Sequence, residues 1–369
     1  MLTMMIFQFL FILPICILLI STPYLMRKTV SFGVSIPEEL FNHTFIRSLR
    51  KRYVRNMSIV SILVVAILFI VQWIVNGHSE STAALFSTGI CLLLIAGSIQ
   101  YVISHQKMKR FKENSVVTED DAHIVVVQTS FHTEKKAISN GWFFIPMCII
   151  IATIIFTNVN EGLFPNRIPI HFNMIGEATD WIQKTEASIY FIPLIQLYML
   201  VIFMFINMVI RTAKQKIDPK RPQQSLQQNV LFRRRWSVFL WVTGVIVISM
   251  LSFSQYSIVF HVPSSAQTIV TIVVPGFIIL GSIFLAFKTG QGGNRIPVAS
   301  SSSSAQITSQ GDDDAHWKFG VFYVNKNDPS LFVEKRFGIG WTVNLARPLV
   351  WVIFIALIGS IVLITLLTT

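Results

Sequence analysis

The chain is expected to be an all-α integral membrane protein with eight transmembrane helices, both termini external, and small folded cytoplasmic loops. Three observations lead there. Apolar residues make up 53% of the 369 and charged residues only 13%, with a mean hydropathy of +0.61, a balance foreign to soluble domains. Eight apolar runs, 4 to 26, 57 to 76, 84 to 104, 142 to 159, 188 to 210, 237 to 260, 267 to 287 and 347 to 367, approach the ~20 residues that cross a ~30 Å hydrocarbon layer as a helix. Finally, 28 of the 30 Lys and Arg residues fall in or beside four alternate loops. Loops 27 to 56, 105 to 141 and 211 to 236 hold 7, 6 and 8, and loop 288 to 346, with Arg347 at its edge, holds 7. Basic residues next to spans are retained in the cytoplasm, so these four loops are expected inside and Arg167 and Lys184 outside.

The formal charge of +12 belongs to that pattern. Cytoplasmic basic loops face anionic lipid, and this reading takes the place of nucleic-acid binding. Cys16, Cys91 and Cys148 all lie in apolar runs, where no disulfide framework is implied. The first run continues to Tyr24 without a small-residue cleavage site and is expected to be a retained span. Five segments follow in order: 1 to 140 with three spans, 141 to 210 with two spans and an external arm 160 to 187, 211 to 287 with a basic tether and two spans, a disordered linker 288 to 315, and a cytoplasmic module plus last span, 316 to 369.

In the first cytoplasmic loop, Pro37 and the two glutamates after it favour a helix start, and 37 to 55 is expected to lie as a helix on the membrane surface. The β-branched stretch His123 to Phe131 predicts a strand in the second. The third, turn-rich around Asp218, Pro219 and Pro222, reads as a tether. Gly290, Gly292, Gly293 and the serines from Ser300 to Ser304 cannot bury enough apolar surface to fold, hence the linker. Beyond it, large residues alternate from Trp317 to Tyr323 and stop at the Asp328-Pro329 turn signal.

All 18 Asp and Glu residues map to loops, which argues against a carrier built on a buried carboxylate. Gln8, Gln72, Gln100, Gln196, Asn207, Ser249, Ser252, Ser254 and Gln255 fall inside spans. Hydrogen bonding between helices is the preferred reading of this set over a substrate track. Asp312, Asp313, Asp314 and His316 read as a solvated acidic run rather than a cation site. No serine-elbow, HExxH or P-loop pattern is present, so no catalytic residue, metal or cofactor is assigned.

The arm between the fourth and fifth runs concentrates the distinctive residues. Pro165 and Pro169 hold the chain extended, Ile168, Ile170 and Phe172 alternate with Arg167, Pro169 and His171, and Asn173 to Gly176 can form a turn. Thr179 or Asp180 is expected to cap a helix entering the fifth span, and Trp181 to pin the arm at the membrane surface. Arg167 and Lys184 flank the arm and are expected to orient it against headgroups or against Glu177 and Asp180.

The run Pro169, His171, Phe172, Asn173, Gly176, Glu177, Asp180 and Trp181, spaced Pro-x-His-Phe-Asn-x-x-Gly-Glu-x-x-Asp-Trp, resembles the signature of an uncharacterised bacterial membrane domain. That domain also occurs in the immunity proteins of the sporulation-delaying toxin (SdpI-like), and the resemblance covers 141 to 207. The block Trp317 to Pro348 is similar to a second uncharacterised module found beside the first. What the resemblance implies is a multi-pass protein of a bacterial plasma membrane, tied to envelope stress or toxin response. Its ligand-recognition candidates are His171, Phe172, Asn173, Gly176, Glu177, Asp180 and Trp181, and its partner a peptide toxin or membrane protein. A permease or exporter subunit is the alternative, and an external membrane enzyme ranks third.

Overall fold

The structure is a computed structural model that describes residues 2–74, 79–115, 136–172, 178–218, 221–260, 262–298 and 314–366. Each of the eight apolar runs lies in a helix: α1 (Leu2–Leu25), α2 (Thr44–Ile74), α3 (Ser79–Asn114), α4 (Phe144–Val159), α6 (Phe191–Thr212), α7 (Pro222–Phe260), α8 (Ser264–Thr289) and α9 (Pro348–Leu366), with a single turn α5 (Glu186–Ile189) before α6. Six stretches, within α2, α3, α4, α6, α7 and α8 and their flanks, are long and apolar enough to cross a membrane, and Phe11–Leu25 and Pro348–Leu363 are shorter apolar helices. The fold is not purely helical. Four antiparallel hairpins lie among the described residues: β1 (Val30–Ser31) with β2 (Val34–Ser35), β3 (Arg167–Phe172) with β4 (Ala178–Gln183), β5 (Trp317–Lys318) with β6 (Phe322–Tyr323), and β7 (Phe332–Glu334) with β8 (Trp341–Val343). The strand expected from His123 to Phe131 lies outside the described residues.

Three loop expectations are corrected. Residues 37 to 55 are not a separate surface helix: Glu38–Asn42 is one 3-10 turn after Pro37, and the basic segment from Thr44 runs without a break into the second apolar run. Ile46, Leu49, Tyr53 and Met57 recur at helical spacing and are buried, so a single stripe holds the basic and apolar parts together. Arg50 is buried too, its guanidinium 3.9 Å from the Phe41 ring and bonded to the Phe41 carbonyl. Likewise the tether 211 to 236 is mostly helix. Pro222 opens α7, where its missing N–H costs nothing, and Arg233 is fully buried, donating to Asn229 Oδ1 at 2.6 Å and to the Ala213 carbonyl at 2.8 Å. The start of the linker folds as well: Gln291, Gly292 and Gly293 form a buried 3-10 turn. At Gly292 a Cβ would come 2.0 Å from Arg27 Nη2 and 2.4 Å from Glu334 Oε1, so glycine here reflects close packing instead of flexibility. The serine run lies outside the described residues.

The chain divides into two compact units, each discontinuous in sequence. The first joins Met1–Lys136, Thr212–Arg233 and Ile283–Trp351, so most of the expected tether and the described parts of the expected linker and terminal module fold with the N-terminal helices. Its core packs Phe32, Val34, Ile36, Ile46, Leu49, Tyr53, Tyr101 and Met108. The turn of β1–β2 meets the turn of β5–β6 here, and Tyr101 of α3 donates to the Phe319 carbonyl at 2.9 Å while His105 Nδ1 lies 2.8 Å from the Phe32 carbonyl. Asn344, fully buried, organises the 325–346 region: its Nδ2 donates to the carbonyls of Asn325, Asp328 and Ser330, and its Oδ1 accepts the Asn325 amide at 3.0 Å.

Two carboxylates of this unit are held ionised by cations. Asp328 is buried, which would raise its pKa, but the Lys214 ammonium at 2.8 Å, the Ser330 amide and the Tyr323 hydroxyl outweigh burial and bring it down to about 2 from 3.8. Asp314 is also pushed up by burial and pulled further down by Arg336 and by Lys112, the latter at 2.9 Å. A depressed native pKa contributes stability in full above the unfolded value, lost as pH falls toward the folded one. Unit stability is therefore expected to hold from pH 7 to about 5 and to fall steeply below about 4. Melting followed by tryptophan fluorescence between pH 6 and 3 checks this, and Asp328→Asn should flatten the dependence; an unchanged slope would refute the assignment.

The second unit comprises Ala137–Arg211, Arg234–Ser282 and Val352–Thr369. Phe143, Ile150, Leu200, Phe203 and Ile248 form its main core, and a second cluster, Phe164, Ile168, Ile189, Ile258 and Val259, sits under the β3–β4 hairpin.

Candidate functional site

The arm is a hairpin standing on the ends of three helices. After α4, a 3-10 turn at Glu161–Leu163 leads to Pro165 and β3. In the ladder Arg167 faces Gln183, Ile168 faces Ile182 and Pro169 faces Trp181; the register shifts before His171, which faces Asp180, and shifts back before Phe172, which faces Ala178. The shift at Ile170 ends the simple alternation expected for this strand, as a bulge does. Below the shift the two faces differ. Ile168 is 4% exposed and packs with Ile182, Phe164 and Ile189, whereas Arg167, Trp181 and Gln183 are exposed, Trp181 by 53%. A lone two-stranded hairpin is marginal in water, so this buried face is what gives the arm a fixed shape.

The arm's base is tied by its lysine. Lys184 Nζ donates to the Glu161 carbonyl at 2.7 Å and the Phe164 carbonyl at 3.2 Å, and its amide continues the ladder to Asn166 at 2.9 Å. It thus holds the arm onto the 3-10 turn; Glu177, one of the groups it was expected to orient the arm against, lies outside the described residues. The cap is likewise corrected: Thr179 and Asp180 are strand residues, and Thr185 caps α5 in a reciprocal box with Ser188. An extended strand at 178–183 leaves no helix there for Thr179 or Asp180 to cap.

Of the candidate recognition residues, the ladder brings His171, Phe172, Asp180 and Trp181 onto adjoining strands. Asn173, Gly176 and Glu177 lie outside the described residues. Among the described residues no group of three or more His, Cys, Asp and Glu side chains is placed to hold a metal ion. Asp314 of the acidic run is engaged by Arg336 and Lys112 instead of standing in solvent; Asp312 and Asp313 lie outside the described residues.

The polar residues inside the helices of the second unit join those helices to one another. Gln196 Nε2 donates to Ser252 Oγ at 2.7 Å and the Ile248 carbonyl at 3.0 Å. Gln255 donates to Thr157 Oγ1 at 2.9 Å and the Ile189 carbonyl at 2.8 Å. Asn207 reaches Asn140 Oδ1 at 2.9 Å and accepts from Ser237 at 2.6 Å. These bonds engage the amide nitrogens of all three side chains between helices, which fits the preferred structural reading. Gln255→Leu is expected to cost only about 0.6 to 1.7 kcal/mol, because helices in a membrane find substitute partners. A melting series in detergent checks it; a loss of activity without loss of stability would restore the track.

Sequence reasoning missed the ionic centre of the first unit. Arg27 donates to Glu334 Oε2 at 2.7 Å and to the Lys216 carbonyl at 2.6 Å, while Gln291 Oε1 accepts the Arg27 amide at 3.0 Å. Asn229 links Glu334 to Arg233. The only signal in the chain was the mix of glutamate and arginine at Glu334 to Arg336, indistinguishable by itself from a solvated run.

Comparison with known families places two matches on this geometry. Residues 148–197 match a domain of unknown function, DUF1648, and residues 326–351 match a family of unknown function, DUF5808. The first spans most of α4, the hairpin, α5 and the start of α6; the second spans β7, β8 and the Asn344 centre. Neither the curated proteins nor the solved structures gave a match to the chain.

Proposed function

We propose that this helical, membrane-type protein is a non-enzymatic binding protein of a bacterial plasma membrane, of the immunity or sensory kind, whose β3–β4 arm recognises a peptide or envelope component from outside. The eight apolar helices then act as eight spans with both termini external, and the four basic loops meet anionic lipid in the cytoplasmic leaflet, in keeping with the 28-to-2 division of basic residues. The observation that carries the reading is the two-faced hairpin. Ile168 and Ile182 hold one side rigid, so the other presents Arg167, Trp181 and Gln183 without first having to order them. An exposed tryptophan beside an arginine is the composition of binding hot spots.

The test is protection. A strain lacking the protein is challenged with a panel of envelope-active peptides, with wild type or a His171, Asn173 and Trp181 triple-alanine variant restored at equal membrane levels. Wild type is expected to protect against at least one peptide and the variant against none. If deletion leaves sensitivity to every peptide unchanged, the immunity reading is wrong. Orientation is checked separately with an impermeant thiol reagent: a cysteine placed at Gly162 should label in intact cells, and one at Lys326 only after lysis.

A further inference from the structure

We infer that the first unit holds a site for a phosphate group, in a cavity between the Arg27–Glu334 pair and the segment Lys214 to Lys216. The cavity measures about 40 Å³. At roughly 10–15 Å³ per water-sized group this admits about three, the size of a small oxyanion and far too little for an organic substrate. Five cations line it, Arg27, Lys214, Lys216, Lys335 and Arg336, against one lining carboxylate, Glu334; Arg27, Lys214 and Arg336 also pair with Glu334, Asp328 and Asp314, which leaves the cations in excess by two. These residues come from three of the four basic loops, so the cluster exists only in the folded unit.

The residues lining the cavity carry unsatisfied hydrogen-bonding capacity. Arg27 Nε is buried without a partner in the protein, as are Gln215 Oε1 and Glu334 Oε1. The Glu334 side chain is only 5% exposed, and a buried carboxylate oxygen left unpaired is costly. Donors and acceptors together around one small cationic space describe a ligand that is negative overall and yet carries a hydroxyl. A hydrogenphosphate or a phosphate monoester meets both demands: its ionised oxygens accept from Arg27 and face the lysines, and its P–OH donates to Glu334 Oε1 or Gln215 Oε1. Sulfate, fully ionised, has no hydrogen to give these acceptors. The phosphate could come from a free ion or from a phosphomonoester lipid headgroup, and the two share this chemistry.

The experiment uses the full chain, delipidated in a maltoside detergent. Inorganic phosphate is titrated calorimetrically, with sulfate at matched ionic strength as comparison; dioctanoyl phosphatidic acid and dioctanoyl phosphatidylcholine are then presented in mixed micelles. Saturable binding of inorganic phosphate, at least about tenfold tighter than sulfate, identifies a free-anion site. Binding of phosphatidic acid but neither phosphatidylcholine nor inorganic phosphate identifies a headgroup site. Either supports the inference; binding of none, or equal binding of phosphate and sulfate, overturns it. Lys216→Gln with Lys335→Gln should weaken binding about tenfold, with the melting temperature of the ligand-free variant read alongside, because both residues line the cavity and Lys335 is exposed. Lys318→Gln with Lys326→Gln, in the same unit and off the cavity, should leave it as in wild type; equal weakening by both pairs would show a general charge effect and overturn the site.

Discussion

Replacing Glu334 with alanine is expected to destabilise the first unit by about 3–5 kcal/mol, the cost of breaking a buried ion pair from one side. Arg27 would be left 12% exposed with no carboxylate at its Nη2, and the Asn229 bridge toward the fully buried Arg233 would lose its acceptor. Three chain segments distant in sequence meet at this carboxylate: Arg27 after α1, Asn229 in α7 and β7 itself. The loss should therefore appear as a lower melting temperature and as faster proteolysis at sites across the unit. Arg27→Met with Glu334→Met is expected to recover most of it, since an apolar pair avoids the desolvation cost that the ions carry. A double variant no better than Glu334→Ala would mean that the geometry around Gly292, and not the charge, sets stability here.

Alanine at Gly33 or Gly320 is expected to be nearly as damaging. Both glycines have left-handed backbones, φ +78° and +67°, where a side chain costs about 1–3 kcal/mol. Space is also missing: a Cβ on Gly33 would lie 2.4 Å from Tyr101 Oη and 2.8 Å from Gly320 Cα, and one on Gly320 would lie 2.9 Å from Gly33 Cα. Overpacking adds about 1–3 kcal/mol, and because each glycine clashes with the other the double variant should cost less than the two single losses together. Tyr101→Phe separates the contributions: it removes the hydroxyl that bonds the Phe319 carbonyl and keeps the ring, so it should cost only about 1 kcal/mol. If either alanine variant melts like wild type, the two hairpin turns do not touch as described.

How much of this was legible beforehand depends on the range of the forces involved. Each apolar run became a helix because hydrocarbon-length hydrophobicity is a local property, summed over about 20 neighbours. The arm was legible for the same reason: prolines and alternating isoleucines specify an extended strand wherever it lies. Its far strand was misread because Thr179 and Asp180 are good capping residues, and pairing with β3 outweighed that local preference. The basic segments were misread in the other direction. Arg50 and Arg233 look solvated in a charge run, yet Phe41, Asn229 and the Ala213 carbonyl receive them inside the fold.

Composition and order along the chain thus determined by themselves that the protein is membrane-type, where its helices lie, and that a distinctive arm joins the fourth and fifth apolar runs. Only tertiary structure decided which polar groups are spent on holding the fold. Gln196, Asn207 and Gln255 are consumed between helices, Lys184 is consumed at the arm's base, and Glu334 collects partners lying 105 and 307 residues away. The physical reason is the same throughout. Hydrophobic burial is nondirectional and is announced by composition, whereas a hydrogen bond or ion pair exists only when two particular atoms come within about 3 Å, which no window along the chain can report.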